Sequence, residues 1–130
     1  MQAPFTSIAS DGSAVTLGDG VPHLRNYGTF PRVLAKYVRD EGILSLEQAI
    51  HKMTAQPADR INLANRGILA EGRIADINIF DPETVKDYDD WAAPHRYATG
   101  FSYVIVSGTP VIDNGTRTDA FPGRVLKRDN

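Results

Sequence analysis

The sequence of 130 residues has a formal net charge of −2 at neutral pH and no cysteine, so it offers neither a thiol nucleophile nor a thiolate metal ligand. This length suits one domain but is too short for a complete (β/α)8 barrel, which takes about 250 residues. The sequence has no basic run, no bilayer-length apolar run and no signal-peptide pattern, and we therefore expect a cytoplasmic protein without nucleic-acid or membrane partners.

The N-terminal segment predicts a strand followed by a loop. Residues 3–10 contain Phe5 and Ile8 and indicate a short buried strand, which ends at Asp11 and Gly12. A loop rich in glycine follows. A strand with unpaired edges is a structural liability, and this one has no neighbour close in sequence with which to pair.

The next part of the chain predicts two or three helices. Apolar residues from Phe30 to Val38 recur at the spacing of one helix face, and Gly42 ends that pattern. Ser45 and Gln48 stand three residues apart and form a capping-box pattern at the start of a second helix. Pro57 suits the first turn of a further short helix.

The second half of the chain predicts turns and short strands. Gly67 and Gly72 mark two sharp reversals, because glycine adopts backbone angles that other residues resist. Ile77 and Ile79 alternate with polar neighbours, as in a half-buried strand that Pro82 then ends.

A polar, irregular segment spans residues 83–100, and strand-like patterns follow at residues 103–106 and 110–112. Asp, Asn and Gly at residues 113–115 are typical of a hairpin turn. The order of a strand, a loop, helices and then short strands indicates an α+β fold.

Residues 66–81 resemble the segment by which enzymes of the amidohydrolase superfamily return to their small β-sandwich domain after the barrel. The family pattern is close to G-x-[IL]-x-x-G-x-x-A-D-[ILV]-x-[ILV]-[FW]-D, and this sequence matches every fixed position. Residues 10–12, 23–34 and 44–58 are similar to the C-terminal part of N-acyl-D-amino-acid deacylases, also called D-aminoacylases. Leu24 departs from that family, which usually has proline between the histidine and the arginine.

The resemblance implies that the chain is a C-terminal fragment of such an enzyme. Residues 1–65 would hold the last barrel strand, the loop and the helices, whereas residues 66–130 would form strands of the small β-domain with an irregular insertion. The implied reaction of the whole enzyme is zinc-dependent hydrolysis of an N-acyl-D-amino acid to a carboxylate and a D-amino acid. We expect the isolated chain to be inactive.

Three residues are candidates for the site. Position alone favours Asp11 as an aspartate that caps a turn through its own backbone. The resemblance instead implies that Asp11 lies beside the zinc, takes a proton from metal-bound water and passes it to the leaving nitrogen. His23 and Arg25 would bind substrate, and a guanidinium suits a carboxylate; the alternative for Arg25 is a surface residue that packs on the following helix.

A complete metal site is not expected in this chain. The family uses a His-x-His pair, further histidines and a bridging residue, whereas the three histidines here have no such spacing. We predict a solvated surface position for His51 and an ordinary loop role for His95. Asp11 would contact zinc only with ligands that this chain lacks, and we expect the chain alone to bind no zinc.

Two alternatives to the fragment interpretation stay open. The chain could be a self-associating accessory or interaction module, with Phe5, Ile8, Val33 and Tyr37 in a homodimer core. It could also be one subunit of a split amidohydrolase, in which a second polypeptide supplies the barrel.

Overall fold

The computed structural model describes residues 1–127, which form an α+β fold of packed helices and one antiparallel sheet. The helical elements are α1 (Arg25–Arg32), which continues directly into a π-helix (Val33–Asp40), α2 (Leu46–Met53) and α3 (Ala55–Arg60). The strands are β1 (Ile77–Phe80), β2 (Phe101–Val106), β3 (Thr109–Asp113) and β4 (Thr116–Arg117). Within the described residues, no helix is long and apolar enough to cross a membrane.

The predicted helix signals are confirmed. The stripe from Phe30 to Val38 lies on α1 and the π-helix, and Gly42 follows with a positive φ of 60°. At the start of α2, the Ser45 hydroxyl accepts a hydrogen bond from the Gln48 amide at 3.2 Å, and the Gln48 side chain accepts one from the Ser45 amide at 3.0 Å. This reciprocal pair satisfies two amides that the helix itself leaves without partners.

The helices bury a small apolar core. Its centre is formed by Val33, Leu44 and Ala49, and partly buried side chains such as Ile8 and Tyr37 pack against it. Val33 is only 2% exposed, so it does not belong to an exposed face. Of the four residues predicted for a homodimer core, only Phe5 lies open to solvent, at 85% exposure, whereas self-association itself stays a prediction.

The sheet follows chain order, β1-β2-β3-β4, with every neighbouring pair antiparallel. Its two tight connections are turns in which both residues have positive φ, namely Ser107-Gly108 and Asn114-Gly115. The second of these confirms the predicted hairpin turn. Such turns match the right-handed twist of the strands they join.

The alternation predicted for β1 is only partly correct. Ile77 and Phe80 are half-buried, whereas Ile79 is 49% exposed. The register of β1 against β2 shifts between Ile79 and Phe80, and β1 is one of the two edge strands of the sheet. A bulge changes the side-chain alternation, and the part of the chain that the structure describes places no layer over Ile79.

The predicted strand at residues 3–10 is wrong for this structure, which has no strand there. Ile8 contributes to the core as expected, but Phe5 is exposed. A strand needs a partner for its backbone groups, and among the described residues this segment has no strand beside it. The proposed boundary between residues 65 and 66 stays a prediction, and residues 128–130 of its second part lie outside the described residues.

The irregular segment at residues 83–100 ties the sheet to the helices. The guanidinium of Arg39 donates to the carbonyl oxygen of Val85 at 2.7 Å, and that of Arg32 donates to Asp87 at 3.0 Å. The Val85 side chain is fully buried. The predicted irregular insertion is therefore a packed segment, and it covers α1 and the π-helix, next to the candidate site.

Candidate functional site

Asp11 lies in a loop with a backbone conformation that few residues other than glycine adopt. Its φ is +49°, in the left-handed region, where aspartate is one of the more tolerated side chains. The next amide, of Gly12, donates to the Ser10 hydroxyl at 3.2 Å. Left-handed non-glycine residues are costly and cluster at functional sites, so this geometry marks Asp11 as a candidate.

Arg25 faces Asp11 from the first residue of α1. Its Nη1 atom lies 3.1 Å from Oδ2 of Asp11, with 85% of the Asp11 side chain and 44% of the Arg25 side chain exposed. The loop after Asp11 contacts the N-terminal end of α1 as well, because the Ser13 amide donates to the Asn26 side chain at 3.0 Å. The structure therefore brings together two residues that are 14 positions apart in sequence.

His23 completes this cluster from the turn before α1. Its Nδ1 atom accepts a hydrogen bond from the Arg25 amide at 3.0 Å. Its ring meets the indole of Trp91 edge to face, with centroids 4.9 Å apart and an interplanar angle of 85°. Sequence reasoning gave Trp91 no part in a site, because no local pattern connects residue 91 with residue 23.

His95 has a larger structural role than the predicted ordinary loop position. Its Nδ1 atom accepts from the Gly18 amide at 3.0 Å and lies 3.0 Å from the Tyr27 hydroxyl, while Nε2 lies 3.0 Å from the Gly20 carbonyl oxygen. A backbone amide can only donate, so Nδ1 is an acceptor and Nε2 carries the hydrogen that is donated to Gly20. His95 thus fastens the glycine-rich loop that follows Asp11.

Tyr27 supports this arrangement from α1. Desolvation raises the pKa of its phenol, and the charges of Tyr97 and Asp19 act in the same direction. The phenol therefore stays protonated at neutral pH and can donate to His95. Further along the helix, the hydrogen bond to Asp87 raises the pKa of Arg32, which keeps that guanidinium charged.

The remaining histidine and its neighbour differ in burial. His51 is exposed on α2, which confirms the predicted surface position. Lys52, the next residue, is only 5% exposed, and sequence reasoning missed it. The available signal was its spacing of three residues from Ala49, which places both on one face of the helix.

These residues do not fit a zinc ion. Among residues 1–127, no group of three or more histidine, cysteine, aspartate or glutamate side chains could hold a metal. Asp11 could supply one oxygen, whereas zinc in proteins takes three or four protein ligands. Asp11, His23 and Arg25 therefore form a cluster of polar and charged side chains, and the described residues do not complete a metal centre.

Two concavities lie elsewhere, with volumes of about 380 and 310 Å³. The lining of the first includes Ile74, Ser107 and Arg124, and that of the second includes Leu63 and Arg66. Neither is lined by Asp11, His23 or Arg25. The geometry of charged groups, and not the depth of a pocket, therefore identifies the candidate site.

This chain is similar in sequence and structure to known amidohydrolases. The model of the amidohydrolase family matches residues 3–112. The chain is 46% identical over 123 residues to a D-aminoacylase of Alcaligenes xylosoxydans xylosoxydans, a match that covers 95% of this chain and 25% of that protein. An N-acyl-D-glutamate deacylase of the same organism is 43% identical over 122 residues, covering 94% of this chain and 24% of that protein.

Solved structures of deacylases also match this chain. A crystal structure of D-aminoacylase superposes with a TM-score of 0.84 at 43% identity, over 95% of this chain and 25% of that one. The N-acyl-D-glutamate deacylase of Bordetella bronchiseptica, complexed with zinc and a phosphonate mimic of the tetrahedral intermediate, gives a TM-score of 0.81 at 40% identity. That match covers 97% of this chain and 26% of the enzyme. The chain spans about a quarter of the length of the curated relatives it matches.

Proposed function

The chain belongs to the amidohydrolase family, and we propose that it forms part of an enzyme that hydrolyses the amide bond of N-acyl-D-amino acids. The products would be a carboxylate and a D-amino acid. The single observation that carries the proposal is the pairing of Asp11, in its left-handed backbone conformation, with Arg25 across 3.1 Å. The identity of 43–46% to deacylases of this substrate class supports the same reaction.

Asp11 is proposed as the general acid/base. In amide hydrolysis, water adds to the carbonyl carbon, the carbon–nitrogen bond breaks, and the leaving nitrogen must gain a proton. A carboxylate can accept a proton from the water and return it to the nitrogen, which makes the amine a much better leaving group. The exposed position of the Asp11 side chain leaves it accessible to a substrate.

Arg25 is proposed to bind the substrate carboxylate. A guanidinium presents parallel N–H donors that match the two oxygens of a carboxylate. Arg25 contacts Asp11 through Nη1, so a substrate carboxylate would bind to the remaining N–H donors of the guanidinium or displace Asp11. His23, whose Nδ1 atom holds the Arg25 amide, is proposed to fix the start of α1 and to contact the substrate with its ring edge.

The zinc held by the Bordetella bronchiseptica relative does not fit the described residues of this chain. We therefore propose that metal ligands come from the remaining three quarters of the enzyme, in the same polypeptide or in a second one. The isolated chain would then lack hydrolase activity.

The test is Asp11→Asn in a folded, metal-loaded enzyme that contains this chain. The amide keeps the shape of the side chain but cannot accept and return a proton. Loss of a general acid/base lowers kcat by about 10²- to 10⁴-fold, and we expect KM to change little. Asp59→Asn on the exposed side of α3 is the matched control and should leave kcat unchanged. Near-normal turnover of the Asp11 variant would show that Asp11 only caps a turn.

A further inference from the structure

Lys52 is a buried charge that the proposed chemistry does not use. It lies on α2 and is only 5% exposed, the one buried charged side chain within residues 1–127. Its ammonium donates to the carbonyl oxygen of Ala3 at 2.7 Å, to that of Thr6 at 2.9 Å and to the Thr6 hydroxyl at 3.3 Å. All three contacts are with the N-terminal segment.

The chemistry of an ammonium explains why this contact is specific. The group has three donors and no acceptor, and a buried ammonium is stable only when its donors are bonded. Ala3 and Thr6 supply three uncharged oxygens for three donors. An apolar side chain of similar length would fill the same space but would form no hydrogen bonds. The ammonium is therefore needed to hold these three oxygens close to one another.

The main chain of Lys52 holds the same segment a second time. Its carbonyl oxygen accepts from the Ile8 amide at 3.1 Å, and the Ile8 side chain packs against the core of Val33, Leu44 and Ala49. The hydroxyl of Thr6 also donates to the Ala3 carbonyl at 2.9 Å, which closes the turn around the ammonium. Lys52 thus bonds to Ala3, Thr6 and Ile8, and the Gln56 side chain of α3 adds one bond to the Pro4 carbonyl oxygen at 3.0 Å.

Asp11 follows Ile8 by three residues. Within the described chain no strand pairs with residues 3–10, so the hydrogen bonds to Lys52 and the packing of Ile8 set the course of the backbone that enters Asp11. A carboxylate that transfers protons must be held within a fraction of an ångström of its working position.

We propose that Lys52 is a positioning residue for Asp11, because its ammonium and carbonyl anchor the segment that places the Asp11 carboxylate beside Arg25. The effect of this positioning on catalysis rests on the proposed function, in which Asp11 is the general acid/base. The alternative is that Lys52 only stabilises α2, and the two roles differ in what happens to Asp11 when α2 stays folded.

The first experiment uses the 130-residue chain and NMR. In Lys52→Met, the amide of Ile8 should exchange with solvent at least about tenfold faster, while the Ala49 amide within α2 stays protected. The backbone carbon shifts of Asp11 should move away from values typical of a left-handed residue. Lys36→Met is the control, since Lys36 is a half-exposed lysine of the π-helix whose ion pair with Glu41 spans 3.6 Å.

Unchanged Ile8 exchange and unchanged Asp11 shifts in a folded Lys52→Met chain would overturn the proposal. If Ala49 also loses protection, the variant has unfolded, and Thr6→Val then decides. That substitution removes one of the three oxygens without touching α2, so it should release Ile8 and shift Asp11 in the same direction. Wild-type Ile8 exchange and wild-type Asp11 shifts in the Thr6→Val chain would overturn the proposal that Lys52 positions Asp11.

The second experiment measures activity in the folded, metal-loaded enzyme that contains the chain. Lys52→Met should lower kcat by about 10- to 100-fold with less than about a twofold change in KM. The double variant with Asp11→Asn should be no slower than Asp11→Asn alone, because Lys52 acts through Asp11. Additive losses would overturn the proposal. If the wild-type enzyme shows no deacylase activity, the proposed function fails, and the NMR experiment still decides whether Lys52 positions Asp11.

Discussion

Nη1 of Arg25 lies 3.1 Å from Oδ2 of Asp11, although the two side chains come from different elements, a loop and the first turn of α1. Among the salt bridges of the described residues, each of these side chains pairs only with the other. A substrate carboxylate that binds Arg25 must therefore share the guanidinium with Asp11 or displace it. Under the proposed function, substrate binding at Arg25 would therefore affect the position of the Asp11 carboxylate.

The Arg25→Ala variant tests the proposed role of Arg25 in substrate binding separately from the proposed proton transfer by Asp11. In the metal-loaded enzyme that contains this chain, we expect Arg25→Ala to raise KM at least about tenfold, because a charge-assisted bidentate pair with the substrate is lost. Steady-state kinetics with an N-acyl-D-amino acid and with its carboxamide analogue would check this. The amide analogue, which has no carboxylate, should show a much smaller difference between wild type and variant.

Arg60→Ala is a suitable control for that measurement, because Arg60 is an exposed arginine at the end of α3. It should leave KM unchanged for both substrates. An equal rise in KM for the acid and the amide in Arg25→Ala would show that Arg25 supports the fold of the site and does not bind the carboxylate.

Zinc binding provides a test on the isolated chain. Because no cluster of metal-ligating side chains occurs in residues 1–127, we expect calorimetric titration to show no stoichiometric site and only weak association typical of single surface histidines. His51→Ala should remove part of that weak signal. A tight complex with one zinc per chain would contradict the proposal that the ligands come from the rest of the enzyme.

The local elements were predictable because their signals lie within a few residues. The Ser45 and Gln48 pair caps α2 as predicted, and Asn114-Gly115 forms the hairpin turn. The grouping of Asp11 with Arg25 followed from the resemblance to a known family, and the contact itself is a property of the folded chain.

The missed features depend on contacts between distant parts of the chain. Lys52 is buried because oxygens of residues 3–6 reach its ammonium, and His95 matters because a loop more than 70 positions earlier bonds to its ring. The strand predicted at residues 3–10 failed for the opposite reason, since the sequence pattern is present but residues 1–127 contain no strand beside it. Composition and periodicity carry no information on such pairings.

The capping box at α2 has a measurable effect on stability. Ser45→Ala removes the hydroxyl that accepts from the Gln48 amide and should lower the free energy of unfolding by about 1 kcal/mol. Urea denaturation followed by circular dichroism would measure it. Ser102→Ala, at an exposed position of β2, is the control and should change stability by less than about 0.5 kcal/mol. Equal effects of the two substitutions would contradict the capping role.

The carboxylate of Glu47 gives α2 a pH-dependent contribution. A hydrogen bond from its own backbone amide lowers the pKa of Glu47 below the ordinary value of 4.5, and a bond with Ser45 acts in the same direction. A depressed pKa in the folded state means that the stabilisation is present above the unfolded pKa and is lost as the pH falls through the folded pKa. Glu47→Gln should therefore have a lower Tm than wild type at neutral pH.

That difference in Tm should disappear once the pH falls below the folded pKa of Glu47, which lies under 4.5. Thermal unfolding from about pH 7 to about pH 3 would follow it. Glu71→Gln, on an exposed turn between the helices and the sheet, is the control for the loss of one negative charge. A Tm difference for Glu47→Gln that persists unchanged in acid would show that the carboxylate charge is not the cause.

Gly100 lies at a position where the packing leaves no room for a side chain. It has a φ of +88°, and a Cβ added there would lie 2.4 Å from the Cα and 2.6 Å from the amide nitrogen of Val85, both backbone atoms. We expect Gly100→Ala to destabilise the chain by about 3 kcal/mol or more, because backbone strain and overlap with the buried Val85 segment add.

Gly18→Ala is the matched control for Gly100→Ala, since Gly18 has a similar φ of +95° but no atom within 4 Å of an added Cβ. Gly18→Ala carries only the cost of the left-handed conformation, about 1 kcal/mol. Chemical denaturation of both variants would separate the two contributions, and the excess for Gly100 measures how firmly the segment at residues 83–100 is packed against the start of β2. If both glycines cost the same, Val85 moves aside freely, and the insertion is not the rigid link between sheet and helices that its contacts with Arg32 and Arg39 imply.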